Sequence, residues 1–129
     1  MTTSYLLDSH VLIWLSSARK RFGPRTKRIL QSGELSFCSI SVSELSLKAR
    51  LGKMNFDTGV IDAWESLGMR ELSFGRLAAL EYGTISREAV RDPFDRMIMA
   101  TARANGHMLI TADSQMLALS ADWIVDATT

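Results

Sequence analysis

One cysteine, Cys38, and two prolines, Pro24 and Pro93, are all that 129 residues contain of those types. A single thiol cannot close a disulfide within the chain and cannot furnish a cysteine zinc site. So few prolines, with no repeat and no low-complexity tract, leave nothing that reads as a linker, so residues 1–129 read as one domain. Long apolar runs are missing too. The longest is Val11-Leu12-Ile13-Trp14-Leu15, against the ~20 residues a bilayer-spanning helix needs, and no membrane partner is expected. The opening residues lack the basic stretch of a secretory leader, so a cytoplasmic location is the expectation. Nor does either sign of charge dominate: 15 basic and 14 acidic residues give +1. A nucleic-acid partner would therefore have to be met by a local patch.

What is present fits an ordinary soluble domain, 47% hydrophobic and 22% charged. Short apolar segments at 4–7, 35–39, 69–74, 108–111 and 123–125 suit strands. Between them, helices are expected at 9–18, 25–32, 41–51, 59–67, 75–84, 93–105 and 113–119. In the clearest of these Phe94, Met97, Ile98, Thr101 and Ala102 recur on one face. Gly33, Gly68 and Gly106 stand between a helix and a strand, where glycine accepts the left-handed conformation that ends a helix. Alternating strands and helices imply parallel strands joined by right-handed crossovers, a three-layer α/β sandwich of about five strands.

In such a sheet ligands bind beyond the carboxyl ends of the strands. Asp8 ends the first strand, Glu44 follows the second, and Asp113 ends the fourth; helices that follow parallel strands begin at one edge, so these three should converge. Asp95 opens a helix that runs into a strand, and this pattern does not by itself bring it there. Each acid has a plain structural alternative. Ser41-x-x-Glu44 fits a capping box, Asp92 fits an N-cap with Pro93 at the first helical position, and Asp8 and Asp113 fit caps of the helices after them. Taken together the capping explanation weakens, because neighbouring carboxylates repel and must take up protons or a cation. An oxygen-only acid set without paired histidines suits Mg²⁺ or Mn²⁺, one or two ions.

Leu6-Leu7-Asp8-Ser9-His10, Ser43-Glu44-Leu45 with Lys48-Ala49-Arg50-Leu51-Gly52, Asp92-Pro93-Phe94-Asp95-Arg96, and Thr111-Ala112-Asp113 together resemble the PIN-domain ribonucleases, and among them the VapC-type toxins of bacterial toxin–antitoxin pairs. The resemblance runs from residue 5 to about 120 with the motifs in order. It implies a five-stranded parallel sheet in the order 3-2-1-4-5, and an acidic site made of Asp8, Glu44, Asp95 and Asp113 acting both as metal ligands and in catalysis. Ser9 stands where many members have threonine and keeps the hydroxyl. The resemblance further implies a metal-dependent endoribonuclease leaving 5′-phosphate and 3′-hydroxyl ends, an RNA substrate, a cognate antitoxin and a homodimer.

Other residues carry two readings each. Arg96 either clamps a phosphate or pairs with a neighbouring acid. Thr111 either orients a carboxylate or water or packs at a strand end. His10 reads as a helix-surface residue, His107 as exposed in a turn, and Cys38 as small and buried. Arg19, Lys20, Arg21, Arg25, Lys27 and Arg28 form a basic run without an acid; Arg25 and Arg28 are its candidates for RNA binding, against a merely solvated face. Two rival functions remain. An aspartyl-phosphate phosphotransfer or phosphatase domain is disfavoured because Asp8-Ser9-His10 lacks the Asp-x-Asp pair and the last lysine is Lys53. A binding module without catalysis would be favoured by loss of an acid, and all four are present.

Overall fold

The structure, a computed structural model, describes residues 2–129. The chain runs β1 (Ser4–Leu7), α1 (Ser9–Ser17), a 3-10 turn (Arg19–Arg21), α2 (Pro24–Ser32), β2 (Glu34–Cys38), α3 (Ser39–Arg50), α4 (Gly59–Ser66), β3 (Arg70–Leu72), α5 (Arg76–Tyr82), α6 (Pro93–Ala104), β4 (Met108–Thr111), α7 (Ser114–Leu117) and β5 (Ile124–Asp126). All five strands are parallel, in the order β3-β2-β1-β4-β5, the order that the sequence resemblance implies.

Strand periodicity explains the two cores. Leu6 pairs with Leu109 and Leu7 with Ile110 across β1 and β4, so adjacent leucines face opposite sides of the sheet. Leu7, Phe37, Ile110 and Val125 meet Val11, Leu12, Leu45 and Trp64 from α1, α3 and α4. On the other side Leu6, Cys38 and Leu109 meet Ile98, Met99 and Ala102 of α6 and Met116 of α7. Burying each large apolar side chain stabilises the fold by ~1.5–3 kcal/mol relative to exposure. Truncating Ile98, which is fully buried, to alanine should cost ~2–5 kcal/mol.

The punctuation differs from expectation in two places. Gly68 (φ 89°) and Gly106 (φ 65°) take the left-handed conformation, whereas Gly33 is extended at φ −80°. Its need for glycine is one of space, because an added Cβ would sit 2.8 Å from the Ile29 carbonyl and 3.1 Å from the Tyr5 ring. The second difference concerns α3. It starts at Ser39 directly from β2, with Cys38 as N-cap through its sulfur on the Ile40 N–H. Glu44 therefore lies beyond the first turn, and the capping-box reading of Ser41 and Glu44 does not hold.

The helix α6 feeds β4, so it has to end at the amino edge of the sheet and begin at the carboxyl edge. Its twelve residues rise ~18 Å, enough to span the sheet. This direction places Asp95 at the same edge as the acids that follow β1, β2 and β4, a consequence of topology that the sequence reading left unused.

Candidate functional site

Asp8 lies at the end of the central strand and is 1% exposed. Both of its oxygens are engaged. Oδ1 accepts the Ser9 N–H at 2.7 Å, as a helix cap, and Oδ2 accepts the Thr111 hydroxyl at 2.7 Å. Burial pushes its carboxyl above the usual range; the Thr111 and Ser9 hydrogen bonds pull the other way. Thr111 ends β4, the strand beside β1, and its Oγ1 also accepts the Asp113 N–H at 3.0 Å. Asp113 in turn caps α7 by accepting the Met116 N–H at 2.9 Å. One hydroxyl thus fixes the ends of two neighbouring strands and both of their acids.

Glu44 projects from the second turn of α3 and is 4% exposed. Ser9 Oγ donates to its Oε1 at 2.7 Å and lies 2.9 Å from Ser41 Oγ. Its Oε2 faces Lys48 Nζ at 3.0 Å. Asp92 caps α6, with Oδ1 accepting the N–H of Phe94 at 2.7 Å and of Asp95 at 3.2 Å, while Pro93 occupies the first helical position.

The cap does not exhaust Asp92. Glu44, Asp92 and Asp95 each place a carboxylate oxygen within 4.8 Å of the others. Of the four acids expected from the sequence this close group holds Glu44 and Asp95, with Asp92 in addition, while Asp8 and Asp113 lie outside it and act on Asp95 through their charge. Asp95 feels all of them. Burial first, then the charges of Asp8, Asp92, Asp113 and Glu44, push its carboxyl up to about 8. Repulsion of this kind is what a bound cation relieves, and hard oxygen donors at this spacing suit a divalent ion. The cluster could hold a metal ion, and capping and clustering coexist in Asp92 because both cap hydrogen bonds go to its Oδ1.

The remaining candidates divide. Arg96 makes no ion pair among the described residues, so the pairing with a neighbouring acid is not formed. Its guanidinium lies over the Tyr82 ring, 5.0 Å from the centroid, and its buried Nε has no hydrogen-bond partner. His10 is exposed on α1, Cys38 is buried, and His107 is half-buried with Nδ1 2.9 Å from the Asn105 carbonyl.

Arg25 and Arg28 are exposed on α2, and no residue of the basic run pairs with a carboxylate among the described residues. The first turn of α2 packs on the segment after β5, through Gly23 N–H to Ala127 O (3.1 Å) and Thr26 N–H to Thr129 O (3.0 Å). Only the start of α2 thus meets the segment after β5; Arg25 and Arg28 themselves line a hollow with Thr2, Thr3 and Tyr5 at the amino end of β1. Lys48 was missed among the site residues, although Glu44-x-x-x-Lys48 is the spacing of an ion pair on one helix face.

The PIN-domain family matches residues 5–121. Ribonuclease VapC22 of Mycobacterium tuberculosis is 28% identical over 117 residues, 88% of this chain and 90% of that protein. The structure of VapBC-1 from nontypeable Haemophilus influenzae superposes with a TM-score of 0.69 at 23% identity, over 98% of this chain and 100% of that one. VapBC2 of Rickettsia felis, bound to a DNA fragment from its promoter, gives 0.65 at 15% identity, over 95% and 96%. At those identities the two structures speak for the fold.

Proposed function

The chain belongs to the PIN-domain family, and from that footing we propose that it is a divalent-metal-dependent endoribonuclease, the toxin of a toxin–antitoxin pair. The observation that carries this reading is the carboxylate cluster of Glu44, Asp92 and Asp95, whose oxygens lie within 4.8 Å of one another, beside Asp8 and Asp113 at the same sheet edge; burial, and then the charges of these acids, push Asp95 up to about 8. The ribonuclease name of the Mycobacterium relative and the toxin–antitoxin complexes among the structural neighbours support it.

Asp8, Glu44, Asp95 and Asp113, joined by Asp92, would hold one or two Mg²⁺ or Mn²⁺ ions, directly or through water. Bound there, such an ion supplies an activated water and positive charge for the phosphoryl oxygens. The chain's own part is preorganisation. Thr111 and the Ser9 N–H fix the Asp8 carboxylate, Ser9 Oγ fixes Glu44, and the α7 cap fixes Asp113. Water attacks the phosphorus and the 3′-oxygen leaves, giving 5′-phosphate and 3′-hydroxyl ends. Arg96, over the Tyr82 ring, and the exposed Arg25 and Arg28 are the candidates for gripping RNA phosphates. The protein is read as a cytoplasmic homodimer restrained by its antitoxin.

An aspartyl-phosphate mechanism fits the geometry poorly, because both oxygens of Asp8 are engaged and the residue is buried. The test is cleavage of cellular RNA by purified protein, with 5′ ends mapped after induction. Discrete new 5′-phosphate ends that vanish in chelator are expected; cleavage undiminished by excess chelator would overturn the reading.

A further inference from the structure

Lys48 is the one cation in contact with the acid cluster among the described residues. Its ammonium lies 3.0 Å from Glu44 Oε2, and its side chain is 32% exposed against 5% for Glu44. Glu44 does not depend on it for placement, since Ser9 Oγ holds the other oxygen at 2.7 Å and the residue is buried in α3. The lysine is therefore a partly exposed partner of a carboxylate held independently of it, and its long stem and compact charge let the ammonium leave Glu44 without disturbing the helix.

We propose that Lys48 is a cation parked on Glu44, competing with the divalent ion there and, once displaced by it, binding an RNA phosphate beside the site. The inference rests on the proposed nuclease function. Its physical basis is linkage. An ion ligated by Glu44 must take over the charge that Lys48 now neutralises, and a positive charge so near opposes its entry. Released, the same ammonium stands at the partly exposed edge of an acid cluster that otherwise repels a polyanion, and it supplies attraction where the substrate backbone has to approach.

The experiment compares wild type with Lys48→Met and Lys48→Arg. Direct calorimetric titration with Mn²⁺ reads the first half. Lys48→Met should bind Mn²⁺ roughly three- to tenfold more tightly, the size expected for losing one adjacent, partly screened charge, and Lys48→Arg should stay near wild type. The second half is read from the KM for an RNA that the wild type cleaves, measured at saturating Mn²⁺ over several salt concentrations. Lys48→Met should raise KM, and the dependence of log(1/KM) on log salt should lose ~0.7 of its slope, one phosphate contact on a single strand. Unchanged or weakened Mn²⁺ binding in Lys48→Met overturns the proposal, as does an unchanged salt slope. A purely structural i,i+4 pair could alter Mn²⁺ affinity through its charge but would leave the salt slope unchanged. Wild-type protein that binds no Mn²⁺ and cleaves no RNA instead defeats the nuclease function itself, which keeps the two failures apart.

Discussion

Asp8 and Thr111 are 103 residues apart in sequence and 2.7 Å apart at the hydroxyl–carboxylate hydrogen bond that joins the ends of β1 and β4. Because Thr111 also receives the Asp113 N–H, it couples a buried acid to a half-buried one. Thr111→Val keeps the shape and deletes the hydroxyl. Asp8 Oδ2 would then be buried without a donor, at a cost of about 1–3 kcal/mol, and the Asp8 carboxyl should rise further. Denaturant unfolding of the metal-free protein measures the loss, and Mn²⁺ affinity should fall with it. A valine variant as stable as wild type would show that the hydroxyl carries neither burden.

The raised Asp95 carboxyl has a definite sign. Folding keeps a proton on Asp95 that the unfolded chain releases above its ordinary 3.8, up to about 8 in the folded state. Between those values the native state binds more protons, so the metal-free protein should lose stability as pH rises from ~4 to ~8. Asp95→Asn should flatten that slope. Divalent-ion binding near pH 7 should also release protons, visible as heats that vary with the buffer's ionisation enthalpy. Melting curves with the same pH dependence in wild type and Asp95→Asn would contradict the assignment.

Asp8→Asn and Asp113→Asn retain side-chain size and much of the capping ability while removing charge. If the two acids served only as caps, stability would change by ~2 kcal/mol at most and cleavage would survive. As metal ligands they should instead lower cleavage by more than about 100-fold, beyond the usual effect of residues that merely support a ligand, with the fold intact by circular dichroism. An active Asp8→Asn enzyme would settle the matter against the site.

The basic run is tested by replacing Arg25 and Arg28 together with alanine. If both grip RNA backbone, the log–log salt slope of RNA affinity should shrink by ~1.4, two contacts at ~0.7 each, and the cleavage position should stay the same. Loss of antitoxin affinity with RNA binding unaltered would assign the patch to an acidic protein surface, and no change in either would leave it a solvated face.

Much of this was legible in the residues because the acids sit next to strongly patterned strands. Asp8 and Asp113 could be placed once the flanking apolar segments were recognised as parallel strands. Short-range rules failed where tertiary structure decides. The Ser41/Glu44 capping box matched in spacing, but β2 enters α3 without a loop, and the helix begins two residues earlier. Of the two partners that Arg96 had in sequence, the neighbouring acid is not taken; the guanidinium lies over the Tyr82 ring of α5 instead, brought there by the packing of α5 on α6. Asp92 looked fully accounted for as a cap because the second oxygen of a capping carboxylate is invisible until another helix arrives beside it.

The position of β1 between β2 and β4 has a consequence for biosynthesis. Asp8 and Glu44 are made before residue 45, whereas Asp92, Asp95, Asp113 and the anchoring Thr111 come tens of residues later. Until β4 has been made, the central strand lacks one neighbour and its acid lacks the Thr111 hydroxyl. Contacts of such long sequence separation form late, after the loop-closure entropy has been met. A nascent chain therefore holds an incomplete set of carboxylates throughout most of its translation. On the proposed reading, the ribosome making this protein is exposed to its nuclease activity only after the second half of the sheet has been synthesised and docked.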